Sequence, residues 1–101
     1  MLGAIIGDIA GSLYEWNNHR SKDFPFFGPG ADYTDDSVLT MAVADALLHG
    51  LPQQKALYLW ATRHPKRGYG DAFARWLDTW ELAPYNSWGN GAAMRVSPAA
   101  L

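Results

Sequence analysis

Two adjacent carboxylates, Asp35 and Asp36, stand between hydroxyl residues in the run Tyr33-Thr34-Asp35-Asp36-Ser37. Hard cations such as Mg²⁺ take oxygen ligands, and this run offers two carboxylates and a hydroxyl within one short stretch. The same run reads as a helix start. Thr34 or Asp35 can accept from an orphan backbone N–H of the first turn, and the helix dipole favours acids there. One acid is enough for a cap. A cation site and an over-capped helix start therefore stand side by side. Glu15 is a further candidate. It falls at the end of an apolar segment read as a helix, where the dipole disfavours a negative charge. Solvent or a cation must offset it. Asp8, inside that segment, reads as a structural acid that caps a neighbouring loop or helix.

Two glycine-bearing stretches add ligand chemistry. Lys66-Arg67-Gly68-Tyr69-Gly70-Asp71 leads into a helix start, where backbone N–H groups and the dipole favour an anion; Asp71 at the cap can fill the same role. In Asn86-Ser87-Trp88-Gly89-Asn90-Gly91-Ala92-Ala93-Met94-Arg95, Gly89 and Gly91 permit close backbone approach. Trp88 among them either stacks on a flat ring such as a nucleobase or is a buried indole in a turn. His19, Arg20 and Lys22 form a local basic patch that reads as solvated surface.

The elements that must position these residues are all helical. Leu2, Ile5, Ile6, Ile9 and Leu13 recur at helical spacing and predict a helix over Met1–Tyr14. Gly3, Gly7 and Gly11 recur every four residues in it, at roughly 1 kcal/mol each against alanine. Such a stripe implies close approach of another helix backbone or of a ligand. Residues 17–32 form a long loop. The next helix runs from about Asp36 to His49, with Gly50 as its natural stop. It is apolar nearly all round and should be buried on most sides. Pro52–Arg63 is a third helix and Ala72–Trp80 a fourth, with Phe73, Trp76, Leu77 and Trp80 on one face. Small residues after Gly91 begin another, and Ser97-Pro98 opens a last one. No strand, repeat or low-complexity segment is evident. The expected fold is all-α, with about five helices in one domain over 1–101.

Composition narrows the function classes. The 101 residues are 49% apolar and 14% aromatic, which fits a globular chain. A net charge of -2 gives no nucleic-acid footprint. With no cysteine, a thiolate nucleophile, a cysteine-ligated zinc and a disulfide scaffold are excluded, and a cytoplasmic setting is compatible. No signal peptide or membrane span is visible. The stop at Ser97-Pro98-Ala99-Ala100-Leu101, one turn into an element, suggests a fragment or half of a split protein.

Taken together, the segments resemble the ADP-ribosylglycohydrolase family. The matching pieces are Gly3-Ala4-Ile5-Ile6-Gly7-Asp8-Ile9-Ala10-Gly11-Ser12 with Glu15 after it, Tyr33-Thr34-Asp35-Asp36-Ser37, Arg67-Gly68-Tyr69-Gly70, and Ser87 through Arg95. They follow the family's order and span nearly the whole chain. The resemblance implies a multi-helix orthogonal bundle that binds two divalent cations, Mg²⁺ or Mn²⁺, in a central cleft. It implies that Thr34, Asp35, Asp36 and Glu15 hold metal, with Glu15, Asp35 and Asp36 as the catalytic acids. It assigns Gly68, Tyr69 and Gly70 to the diphosphate of ADP-ribose, and Ser87, Gly89, Asn90 and Gly91 to a second ligand loop. Trp88 occupies the place of an aromatic residue against adenine. The implied activity is hydrolysis at the anomeric carbon of ribose, releasing ADP-ribose from a modified protein or small molecule.

This chain departs from the family pattern in one respect. Family members are longer and bring a second Asp-x-Asp-Thr/Ser metal run from their C-terminal half. No Asp-x-Asp occurs here. The chain is thus expected to carry half of a two-metal site and most of a ligand pocket, completed by a missing C-terminal half or a second chain. The alternatives are a non-catalytic ADP-ribose-binding or structural relative, and a small helical nucleotide-binding domain.

Overall fold

The computed structural model describes residues 1–100. Helix α1 spans Leu2–Gly11 and passes into a 3-10 turn at Ser12–Tyr14. The other helices are α2 (Asp35–His49), α3 (Gln53–Arg63), α4 (Asp71–Asp78) and the short α5 (Gly91–Met94), followed by a 3-10 turn at Ser97–Ala100. There is no strand among the described residues, so the chain is all-α as expected.

Helix α2 is the hub. It packs on α1, α3, α5 and the last 3-10 turn. Its apolar circumference is buried over most of its length, Ser37 to Ala44 except Met41, and Ala46, while Leu47 and Leu48 of the last turn are exposed. Thr34 is its N-cap, accepting from the Asp36 N–H at 3.2 Å. Gly50 ends it in the left-handed conformation, φ 64°, a geometry that suits glycine. The core joins Leu39, Ala42 and Val43 of α2 to Leu57 and Ala61 of α3 and to Phe73 and Trp76 of α4. Phe73 and Trp76 stack with centroids 5.3 Å apart.

Three expectations are corrected. Helix α4 ends at Asp78, and Trp80 lies beyond it with φ 60° and 78% exposure. Its ring sits 5.6 Å from Tyr58 and does not join the core face. The first helix loses α geometry at Ser12, two residues before Tyr14. Its glycine stripe meets no close partner: a Cβ added at Gly3, Gly7 or Gly11 would find nothing within 4 Å. Only Ala10 of α1 is buried, and Leu2 is 70% exposed. The last 3-10 turn covers Ser97–Ala100, and Leu101 lies outside the described residues.

The radius of gyration is 14.2 Å, against about 13 Å for a compact chain of this length. The uncovered α1 is consistent with that excess.

Candidate functional site

The loop before α2 is fastened at three places. Asp8, projecting from α1, accepts the Thr34 N–H at 2.8 Å and the Thr34 hydroxyl at 2.5 Å. It also accepts the Ser37 N–H at 3.2 Å and the Ser37 hydroxyl at 2.6 Å. Three of these donors converge on Oδ2, and the Thr34 hydroxyl alone takes Oδ1. Asp8 is therefore the structural acid expected from sequence, capping α2 from another helix. One turn further along, Ser12 Oγ accepts the Asp32 N–H at 3.1 Å.

The third fastening is Arg67. Its guanidinium lies 3.7 Å over the Tyr33 ring and donates to Asp32 at 2.6 Å and to the Tyr33 carbonyl at 3.1 Å. Its own carbonyl accepts the Asp35 N–H at 2.8 Å. The hydrogen bond from Arg67 holds the Asp32 carboxyl below the usual carboxylate range. Tyr33 in turn reaches His64 Nδ1 at 3.3 Å. The glycine loop and the acid run are thus one mechanical unit.

Thr34, donating to Asp8 and accepting from Asp36, keeps one hydroxyl lone pair free. Asp35 and Asp36 are partly buried, and among the described residues neither carboxylate accepts a hydrogen bond from another residue. Burial, then the neighbouring Asp36 and Glu15 charges, push the Asp35 carboxyl up to about 6. Burial, then the Asp8 and Glu15 charges, raise Asp36 as well. Two half-buried acids that repel each other favour protonation or a cation.

These residues line one cavity of about 1030 Å³, at the upper end of small-molecule sites. Glu15, Thr34, Asp35, Asp36, Gly68, Gly70, Ser87, Trp88, Gly89, Asn90 and Gly91 all reach it. Four segments, distant in sequence, converge on it. Gly68 holds φ 88°, and a Cβ there would stand 3.8 Å from Asp35 Oδ1, so the loop passes close above the acid. Trp88 is fully exposed at the mouth, which removes the buried-indole reading. Ser87 Oγ accepts the Gly89 N–H at 3.1 Å and shapes that turn.

Tyr69 is the one member of the expected set that does not line the cavity. Its ring packs on the core 5.5 Å from Phe73, and its hydroxyl donates to the His64 carbonyl at 2.7 Å. Burial, then the Asp35 charge, push its hydroxyl up to about 12. Two arginines that sequence reading left without a role, Arg75 and Arg95, also line the cavity.

The donor types suit a hard cation: carboxylates and a free hydroxyl lone pair. The number does not close a site. Among the described residues, no three acidic or histidine side chains converge to hold a metal ion.

A family model described as ADP-ribosylglycohydrolase matches residues 1–101. The ADP-ribosylhydrolase ARH3 of Xenopus tropicalis is 26% identical over 131 aligned positions, which cover all of this chain and 37% of that relative. The chain thus spans little more than a third of the length of that curated relative. No solved structure matches. No helix among the described residues is long and apolar enough to cross a membrane.

Proposed function

The chain belongs to the ADP-ribosylglycohydrolase family, and on that premise we propose that it forms the ligand-binding wall and half the metal site of a hydrolase that releases ADP-ribose. The bond cut is the one at the anomeric carbon of ribose, in a modified protein or small molecule. The observation that supports this reading is the convergence of four separate segments, carrying Glu15, Asp35, Gly68 and Trp88, on one cavity.

The proposed cofactors are two divalent cations, Mg²⁺ or Mn²⁺. Asp35, Asp36, Glu15 and the free lone pair of Thr34 are the donors this chain would bring. Such ions polarise substrate oxygens and lower the pKa of bound water. The chain's own residues do the rest. Asp8 and Arg67 fix the acid run from two sides. Gly68 and Gly70 offer cavity-lining backbone to a diphosphate. Trp88 offers an open ring face at the mouth for a base to stack on.

The remaining ligands come from further chain, in the same polypeptide or a second one. Two observations support this: among the described residues there is no three-ligand group, and the apolar residues Leu2 and Ile6 of α1 are uncovered. The incomplete ligand set also favours a second reading, a relative that binds ADP-ribose without turning it over.

The test is a titration of the chain with ADP-ribose in millimolar Mg²⁺, followed by tryptophan fluorescence, beside an assay of ADP-ribosylated protein. Binding that is lost in Trp88→Ala supports the pocket. Release of ADP-ribose only when a segment carrying an Asp-x-Asp run is added supports the hydrolase over the binding relative. No binding in any condition overturns both.

A further inference from the structure

The cavity is strongly acidic. Asp8, Glu15, Asp35, Asp36 and Asp71 line it against only two cations, Arg75 and Arg95. A phosphate-bearing ligand entering such a cavity meets repulsion unless a positive group faces it. We propose that Arg95 is the anion clamp of this cavity, the guanidinium that takes the phosphate oxygens of a diphosphate ligand. This rests on the ADP-ribose reading and names the residue that holds its charged middle.

Arg95 is unlike Arg67, which lies behind the acid run. Arg67 spends its charge on Asp32 and Tyr33. Arg95 is half-buried, and among the described residues it has neither an ion pair nor a side-chain hydrogen bond. A guanidinium removed from water without a counter-charge is costly. An arriving anion offsets that cost, and the planar fork of an arginine matches phosphate oxygens in pairs. Its neighbours are suited to the same ligand: Gly91 lies so near that a Cβ there would stand 3.5 Å from Nη1. A bare backbone beside the guanidinium leaves room for a bulky anion.

Burial lowers the Arg95 pKa, and the one charge that acts on it is the Tyr85 phenol. The Asp36 and Glu15 charges act on Asp35, and the Asp8 and Glu15 charges act on Asp36. Arg75, exposed on α4, stands at the rim.

The experiment is calorimetric titration of the wild-type chain, Arg95→Gln and Arg95→Lys with pyrophosphate, ADP-ribose and adenosine. A chelator is present throughout, so that no divalent cation bridges acid to phosphate. Arg95→Gln should weaken pyrophosphate and ADP-ribose about tenfold, the size of one charged hydrogen-bonding contact, and leave adenosine within about twofold. Arg95→Lys should recover part of the loss, since charge returns without the fork. If Arg95→Gln fails to fold, Arg95→Lys alone decides: it must weaken pyrophosphate and spare adenosine. Unchanged pyrophosphate affinity, an equal loss for adenosine, or no pyrophosphate binding by the wild type overturns the clamp. Pyrophosphate binding that depends on Arg95, with no affinity for ADP-ribose, keeps the clamp and removes the ADP-ribose reading.

Discussion

Asp8 of α1 and Thr34 of the loop before α2 are joined twice, through the Thr34 amide at 2.8 Å and its hydroxyl at 2.5 Å. The same carboxylate takes both donors of Ser37. Residues 26 apart in sequence thereby share one cap. Asp8→Ala removes it and leaves several donors unpaired. The expected loss is about 2–4 kcal/mol, from a lost cap and lost charge-assisted bonds. Urea unfolding of the two proteins measures it. Asp8→Asn should lose less, because its amide oxygen can take the three donors now on Oδ2 while its NH₂ donates to the Thr34 hydroxyl. A variant as stable as the wild type would contradict the geometry.

Asp35 gives the chain a pH dependence opposite to that of a salt-bridged acid. Its folded pKa of about 6 lies well above the ordinary carboxylate value. The folded state thus holds the proton more tightly than the unfolded one. Stability falls as pH rises through roughly 4 to 6 and stays lower above that window. Asp36, raised in the same direction, adds to the effect. Discounted for solvent screening of a partly exposed pair, the loss is about 1–2 kcal/mol. In chelator, unfolding at pH 5 should therefore need more urea than at pH 7. Asp35→Asn should flatten the profile and exceed the wild type at pH 7. A profile that rises with pH would refute this.

Gly68 and Gly70, two residues apart, should respond oppositely. Gly68 has φ 88°, so Gly68→Ala costs about 1–2 kcal/mol through backbone strain, with no clash needed. Gly70 has φ -61° and open space around it. Gly70→Ala should stay within about 0.5 kcal/mol of the wild type, since its loss at the cap and its gain through the unfolded chain oppose each other. Thermal melts of the pair check the contrast.

The glycine face of α1 offers a test of what covers it. With nothing within 4 Å of a Cβ at Gly7, Gly7→Ala should stabilise the isolated chain by about 1 kcal/mol through helix propensity. If further chain docks on that face, the same substitution should weaken the docking. Comparing melts of the chain alone and with an added C-terminal segment separates the two effects.

Much of this was legible in the sequence because it is local. Thr34 before two acids and Gly50 after the apolar run mark α2 without reference to the rest of the chain. Asp8 was legible as a structural acid because it had no apolar role, although its partners 26 and 29 residues away were not. Trp80 misled because helical spacing continued past the point where the backbone turned to positive φ. Tyr69 belonged to a ligand motif, yet its ring turned to the Phe73 side of the core, where burial outweighs what a loop contact offers. Arg95 gave no local sign, since an unpaired cation is recognised only when the space around it is known.

The reach of the Asp8 bonds also orders the assembly of the molecule. Helices α2 and α3 are neighbours in sequence, separated by three residues, and close cheaply on each other. Helix α1 carries three glycines and buries only Ala10, so it has little reason to persist before Asp8 finds Thr34. The α2–α3 pair therefore nucleates, and α1 joins late. In hydrogen exchange the amides of Thr34 and Ser37 should open with α1, well ahead of those of Val43 and Leu57. On that order Asp35 and Asp36 come with α2 from the start, and the docking of α1 brings the Asp8 cap and Glu15 to them last.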